Sequence, residues 1–227
     1  MPTEDETLHD ALTAAGVRGE VAVRLAAYGV LLLEANRKVN LTGAKDAAGL
    51  LPHLLDALTL VYDVTDSLVD VGSGGGLPGI PLAIATGARV VLIEPIAKKT
   101  AFLERALVAL GLDGEAIAER AEIVARDARF RERFAFATAR AVSRASTVAE
   151  LTVPLLRLGG RALLQRTIME PREHQALEDA APMLGATLIE ERELDGDRRI
   201  LVLEKTRPTE QRFPRRNGVP EKRPLCL

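Results

Sequence analysis

The sequence is poor in the residues that build disulfide frameworks, zinc sites and aromatic surfaces. Its 227 residues include one cysteine, Cys226, no tryptophan and only 3% aromatic side chains. A single thiol excludes an internal disulfide and a cysteine-rich zinc site. No apolar run approaches the roughly 20 residues that span a bilayer, and the acidic start lacks the pattern of a signal peptide. We therefore expect a cytoplasmic protein with no metal site and no membrane association.

The composition is that of a globular protein, with 47% hydrophobic and 27% charged residues and a net charge of −2. This balance excludes a uniformly basic protein that coats nucleic acid. The segment from Arg198 to Leu227, however, carries nine basic residues against three acidic ones. Such a segment indicates either a polyanion-binding surface or a solvated tail.

The first part of the chain has apolar residues at helical spacing. Leu8 and Leu12 are four residues apart, as are Tyr28 and Leu32, and Leu50 and Leu54 repeat the pattern. Residues 1–63 are therefore predicted to form two or three helices packed on the core of the protein.

From residue 64 onward, short apolar runs alternate with helical segments, which is typical of a parallel sheet with crossover helices. The predicted strands are Leu68–Val71, Arg89–Ile93, Glu122–Ala125, Phe134–Ala139, Arg161–Gln165, Thr187–Glu193 and Ile200–Lys205. One predicted helix begins near Pro78, and three others cover Ala97–Leu110, Ala145–Leu158 and Arg172–Leu184. Gly159-Gly160 is predicted to form a turn. The last two strands are joined without a helix, so the sheet ends antiparallel. The prediction is an α/β core at 64–206 with a seven-stranded, mostly parallel sheet, followed by a basic tail at 207–227.

A glycine-rich stretch from Asp70 to Gly79 follows the first strand and opens a helix. Glycines at this turn allow positive φ and let a ligand approach the backbone. Asp70 at the strand end can accept hydrogen bonds, and Glu94 ends the next strand, where a carboxylate can accept from both hydroxyls of a ribose. The first strand, the loop and Glu94 together predict a site for an adenosine-containing cofactor.

The same glycines satisfy the dinucleotide fingerprint, because Gly74, Gly76 and Gly79 have its spacing. S-adenosylmethionine is favoured by Asp70, two residues before Gly72, and by the antiparallel end of the sheet, since a dinucleotide-binding fold would continue with helical crossovers. A nicotinamide enzyme and a purely structural glycine turn stay open at this point.

Two further strand ends carry polar residues. Asp127 follows the predicted third strand, where an acid commonly meets an adenine amino group, with helix capping as the alternative. Arg140 follows the fourth strand and faces either the methionine carboxylate of the cofactor, the RNA backbone or a surface ion partner.

Six segments resemble, in order and spacing, the RsmG (GidB) family of 16S rRNA guanine-N7 methyltransferases. They are Asn36–Thr42, His53–Asp56, Asp70–Pro81, Lys98-Lys99 with Phe102-Leu103, Ala139-Arg140-Ala141 and Phe213–Pro220. The resemblance covers roughly residues 36–225. It implies a class I methyltransferase with a Rossmann-like fold that uses S-adenosylmethionine and acts on 16S rRNA, within the small ribosomal subunit or its assembly intermediate.

The resemblance also implies which residues bind the cofactor. Family contacts correspond here to Gly72, Leu77, Asp127-Ala128 and Arg140, in addition to the loop residues Asp70 and Gly74 and to Glu94. In the family the acid usually comes second at the position of Asp127-Ala128, whereas here it comes first.

Methylation at guanine N7 needs no general base, because N7 already carries an in-plane lone pair. Placement of N7 against the methyl group is then the main task, and no catalytic side chain is expected. With few aromatic residues, arginines must stack on RNA bases and lysines must bind phosphates. The predicted RNA-binding residues are Lys98, Lys99, Arg144, Arg166, Arg199, Arg215 and Arg216. A non-catalytic RNA-binding module with a vestigial loop is the other alternative, and no oligomer is implied.

Overall fold

A computed structural model describes residues 3–140 and 143–227. Met1 and Pro2 of the predicted helical region, and Ala141 of the Ala-Arg-Ala segment, lie outside the described residues. The chain divides into two compact units. Unit 1 comprises Met1–Thr65 and Ser73–Ala118, and unit 2 comprises Asp66–Gly72 and Glu119–Leu227.

Unit 1 contains five helices and two strands among its described residues: α1 Glu4–Ala14, α2 Glu20–Asn36, α3 Ala47–Leu58, α4 Gly79–Thr86, β2 Val90–Ile93, α5 Ala97–Ala109 and β3 Gly114–Ile117. A capping box between Thr3 and Glu6 starts α1, and the Asp46 carboxylate accepts the Gly49 N–H at the start of α3. Leu8, Leu25 and Leu50, one on each of the first three helices, are fully buried. These helices confirm the predicted N-terminal helices.

The described part of unit 2 contains five strands and four α-helices: β1 Leu68–Val71, α6 Ala121–Val124, β4 Phe134–Arg140, α7 Ala145–Thr152, β5 Leu156–Thr167, α8 Pro171–Leu184, β6 Ala186–Glu193, β7 Arg198–Lys205 and α9 Val219–Lys222. Pro171 at the first turn of α8 and Gly185 after its last turn bound that helix as predicted.

Seven strands form one sheet in the order β3-β2-β1-β4-β5-β7-β6. β1 pairs parallel with β4, β2 with β3, and β4 with β5, whereas β7 is antiparallel to both β5 and β6. The mostly parallel sheet with an antiparallel end is therefore confirmed. Because the chain leaves parallel strands at a common edge, this topology places strand-end residues at the edge where ligands bind in such sheets.

The predicted third strand at Glu122–Ala125 is wrong. The third strand in chain order is β3 at Gly114–Ile117, which pairs with β2. The two strands are so close that a Cβ at Gly114 would lie 2.5 Å from the Val90 carbonyl oxygen. Residues 121, 122, 124 and 125 are buried while Ile123 is exposed, which is the pattern of a helical turn. Asp127 consequently follows α6 and does not end a strand.

The predicted helix at Ala145–Leu158 is too long. α7 ends at Thr152, a 3-10 turn covers Val153–Leu155, and β5 begins at Leu156. Pro154 cannot donate the hydrogen bond that continues a helix. Gly159-Gly160 is not a turn between elements but lies inside β5, where Gly159 has φ +74° and the register with β4 shifts.

Candidate functional site

The glycine loop of unit 1 runs from Ser73 to the first residue of α4. Gly74 and Gly76 have φ of +56° and +96°, which side chains with a Cβ rarely adopt. The Ser73 N–H donates to the Ile93 carbonyl oxygen at 3.1 Å, and the Gly76 N–H donates to the Ser73 carbonyl oxygen at 2.6 Å. Leu77, a predicted cofactor contact, is buried in the same loop. The loop therefore has a fixed path beside the end of β2.

Glu94, at the end of β2, ties the loop to the following segment. Its Oε2 accepts the Gly74 N–H at 3.0 Å and its Oε1 accepts the Ile96 N–H at 2.9 Å, and the residue is only 5% exposed. Each carboxylate oxygen has two lone pairs, so each retains an acceptor position after these bonds. The carboxylate is thus held in a fixed orientation with capacity for two further donors, such as a pair of ribose hydroxyls.

Tyr28 on α2 contacts the same loop and was missed from the sequence. Its hydroxyl donates to the Gly75 carbonyl oxygen at 2.7 Å, and the residue is fully buried. A Cβ at Gly75 would lie 2.9 Å from Leu32 Cδ1 and 3.1 Å from the Leu41 carbonyl oxygen. The available signal was a tyrosine on the apolar face of a helix, since a buried tyrosine hydroxyl requires a partner.

Asn36, in the family-like Asn36–Thr42 segment, shapes the chain after α2. Its Oδ1 accepts the N–H groups of Leu41 and Thr42 at 2.8 and 3.0 Å. Its Nδ2 donates to the carbonyl oxygens of Thr42 and Ala44 at 2.9 and 3.0 Å. One side-chain amide therefore uses four hydrogen bonds to fix the turn that presents Leu41 to Gly75.

In unit 2, Asp70 lies within β1 and Gly72 follows the last residue of that strand. Asp70 is 1% exposed, and its Oδ1 accepts from the hydroxyl of Thr138 at 3.0 Å, the residue opposite it on β4. Gly72 has φ +73°. Arg140, the last residue of β4, is half-buried and lies opposite Gln165 of β5.

Asp127 forms a local turn with Arg129. Its Oδ1 accepts the Arg129 N–H at 2.9 Å, and its Oδ2 accepts from the Arg129 guanidinium at 2.8 and 3.0 Å. These hydrogen bonds from Arg129 hold the pKa of the Asp127 carboxyl below its usual value. Ala128, between them, is exposed. Asp127 therefore stabilises a local turn, a role similar to the helix capping considered as its alternative. Cofactor contact by Asp127-Ala128 stays a prediction.

The predicted RNA-binding residues fall into two groups. Lys98 and Lys99 occupy the first turn of α5 in unit 1, where Lys98 is exposed and Lys99 half-buried; in unit 2, Arg144 and Arg216 are exposed. Arg166, Arg199 and Arg215 have acidic partners within unit 2: Glu173 at 2.8 Å, Glu193 at 3.3 Å and Glu150 at 2.7 Å, respectively. Burial lowers the pKa of the Arg166 guanidinium.

The basic C-terminal segment is folded, so the solvated-tail alternative is wrong. Phe213, Pro214, Pro220 and Leu225 are buried. The guanidinium of Arg131 donates to the carbonyl oxygens of Phe213 and Thr209, both at 2.8 Å. Backbone carbonyl groups of this segment are therefore bound by a half-buried arginine of unit 2.

Among the described residues, no helix is long and apolar enough to cross a membrane, and no group of three or more His, Cys, Asp or Glu side chains could hold a metal ion.

A family model described as rRNA small subunit methyltransferase G matches residues 22–201. A Rubrobacter xylanophilus protein named ribosomal RNA small subunit methyltransferase G is 44% identical over 210 residues, covering 86% of this chain and 80% of that protein. An Oenococcus oeni protein of the same name is 36% identical, covering 87% of each.

Two solved structures show the same fold. A T. thermophilus 16S rRNA N2 G1207 methyltransferase, in complex with AdoMet and guanosine, has a TM-score of 0.50 and 19% identity, covering 70% of this chain and 40% of that one. A Streptomyces coelicolor geranyl diphosphate C-methyltransferase has a TM-score of 0.55 and 14% identity, covering 67% and 79%. At such identities the likeness shows a methyltransferase fold alone.

Proposed function

Since this chain belongs to the rRNA small subunit methyltransferase G (GidB) family, we propose that it transfers the methyl group of S-adenosylmethionine to N7 of one guanosine in 16S rRNA. Family membership decides against the nicotinamide enzyme and the non-catalytic module. We place the reaction in the cytoplasm, on the small ribosomal subunit or its assembly intermediate. The observation that carries the proposal is the glycine loop followed by the buried Glu94 carboxylate.

The residues fit this cofactor. Glu94 retains an acceptor position on each oxygen, which suits two ribose hydroxyls, and the backbone at Gly74 and Gly76 is open to a ligand because neither residue has a Cβ. We assign Asp70, Gly72, Leu77, Asp127, Ala128 and Arg140 as further cofactor contacts.

When bound, S-adenosylmethionine supplies an electrophilic methyl group on a positively charged sulfur. Guanine N7 already carries the in-plane lone pair that would accept this methyl group, so no residue of the protein has to remove a proton. The protein has to orient N7, exclude water and hold the ribose at Glu94. No side chain is assigned as an acid, base or nucleophile.

For the RNA we assign two tasks to the predicted basic residues. Lys98, Lys99, Arg144 and Arg216 are proposed to contact phosphates or bases. Arg166, Arg199 and Arg215 are proposed to approach RNA from within their ion pairs, which fix the guanidinium planes for stacking.

The test is transfer of a labelled methyl group to unmodified small subunits and to naked 16S rRNA, with the modified position mapped by chemical cleavage. We expect 7-methylguanosine at a single position. A folded protein that binds the cofactor but labels neither substrate would refute the proposal, and label at several positions would refute single-site specificity.

A further inference from the structure

We infer that Tyr28 and Asn36 are positioning residues for cofactor binding, which they promote by fixing the conformation of the glycine loop. The inference rests on the proposed function, because it assumes that the loop binds S-adenosylmethionine. It assigns a role to the Asn36–Thr42 segment, which holds Leu41 against the loop. All of the contacts involved lie within unit 1.

Three consecutive loop residues are held by three different groups. The Ser73 N–H donates to the Ile93 carbonyl oxygen, the Gly74 N–H donates to the Glu94 carboxylate, and the Gly75 carbonyl oxygen accepts from Tyr28. The first two groups belong to the end of β2, whereas Tyr28 belongs to α2. The loop conformation therefore depends on an N-terminal helix as well as on the strand beside it.

Packing at Gly75 leaves little space for the loop to move toward α2. Leu32 Cδ1 and the Leu41 carbonyl oxygen already lie within 3.1 Å of the position that a Cβ would take. Leu41 itself is fixed through its N–H, which donates to Asn36 Oδ1 at 2.8 Å. Asn36 thus sets one wall of the loop and Tyr28 binds its carbonyl group.

The consequence is energetic. A loop that already has its bound conformation loses less conformational entropy when a ligand binds, so removing its supports weakens binding. The Tyr28 hydroxyl acts through the Gly75 carbonyl group, so it limits the conformations available to residues 74–76.

The experiment is calorimetric titration of S-adenosylmethionine into the full chain and into Tyr28→Phe, which removes one hydroxyl oxygen and keeps the ring. The control is Tyr62→Phe, because Tyr62 is the other tyrosine and is 95% exposed. Tyr28→Phe is expected to raise Kd severalfold, with about tenfold as the upper limit set by the whole free energy of one buried hydrogen bond, while Tyr62→Phe leaves Kd unchanged. Titrations are made at a temperature where circular dichroism shows each variant folded.

Asn36→Asp is the second variant. It keeps the acceptor for the Leu41 and Thr42 N–H groups and loses donation to the Thr42 and Ala44 carbonyl oxygens. Its Kd is expected to rise severalfold. In methyl-transfer assays, both variants should raise KM for S-adenosylmethionine and leave KM for the RNA unchanged.

The outcomes separate the two proposals. A folded Tyr28→Phe protein that melts at a lower temperature but binds the cofactor with the wild-type Kd would show a merely structural role and overturn the inference. An equal rise of both KM values would overturn it as well. A wild-type protein that binds no S-adenosylmethionine would overturn the proposed function and the inference with it.

Discussion

The Nζ atom of Lys205 lies 2.8 Å from Oε1 of Glu132, and the lysine side chain is completely buried. The same Oε1 accepts the Thr209 N–H at 2.9 Å, and Nζ also donates to the Val153 carbonyl oxygen at 3.1 Å. Glu132 adopts φ +56°, which is unusual for a residue with a side chain. The Glu132–Lys205 pair thus joins β7 to Thr209 through the carboxylate and to the 3-10 turn through the ammonium group.

Glu132→Ala is expected to destabilise the protein by about 3–5 kcal/mol, because it leaves a buried ammonium group without its partner. Adding Lys205→Met should recover most of that loss, since no buried charge then remains. Urea unfolding measures both free energies. Glu115→Ala is the control, because its pair with Arg89 is exposed and worth about 1 kcal/mol or less. Equal losses in the single and double variants would contradict the prediction.

The same carboxylate predicts a pH dependence of stability. Burial raises the pKa of Glu132, but hydrogen bonds from Lys205 and Thr209 outweigh this and hold the pKa below its ordinary value. The unfolded state then binds a proton first as the pH falls, so the stabilisation is present above the ordinary carboxyl pKa and is lost as the pH falls through the lowered folded-state value. Glu132→Gln should lose stability less steeply than wild type between neutral pH and about pH 3. Parallel curves would show that Glu132 does not titrate as described.

Glu94→Gln is expected to weaken S-adenosylmethionine binding by about 10- to 100-fold, the usual range for hydrogen bonds to a charged group. The amide offers one acceptor oxygen in place of two, while Gly74 and Ile96 both present N–H donors. Calorimetric titration measures the change. Glu104→Gln, exposed on the same unit, should bind like wild type. An unchanged Kd for Glu94→Gln would remove Glu94 from the cofactor site.

Glu150→Ala is expected to release the C-terminal segment. The Glu150 side chain is fully buried and accepts the N–H of Arg215 at 2.6 Å and its guanidinium at 2.7 Å. Trypsin should then cleave after Arg216 at least about tenfold faster, since a 1.4 kcal/mol change shifts the opening equilibrium tenfold. Arg157→Ala, which removes an exposed ion pair with Asp66, is the control. A wild-type cleavage rate in Glu150→Ala would contradict the prediction.

Lys98→Ala is expected to weaken RNA binding and to lower the salt dependence of log K by about 0.7–0.9, the contribution of one phosphate contact. Filter binding over a range of salt concentrations measures both. Arg18→Ala is the control. Arg18 lies just before α2, and Arg24 of α2 donates to the carbonyl oxygen of Leu110, which follows the last residue of α5. This part of α2 therefore lies near the opposite end of α5 from Lys98. Equal slopes for the two variants would exclude a specific phosphate contact at Lys98.

The sequence was most informative where short-range chemistry decides the structure. The glycine loop, the start of α4 and the end of α8 at Gly185 follow from local backbone preferences, and each was predicted. The third strand was misplaced because Gly114 is required by close approach to Val90 of β2, a long-range contact that the local pattern does not carry. The partners of Arg215 and Tyr28 lie 65 and 47 residues away, so no spacing could reveal them.

The bond from Tyr28 to the loop ends on a main-chain oxygen, which every amino acid provides. The hydrogen bond from Tyr28 therefore does not restrict which side chain stands at position 75. The crowding by Leu32 and Leu41 restricts only the size of that side chain. As sequences drift, compensating exchanges should arise between positions 32 and 75, since the carbonyl oxygen at position 41 is present with any residue, while position 28 should keep its hydroxyl whatever stands at 75. The helix and the loop are thus linked in evolution through volume, not through side-chain chemistry.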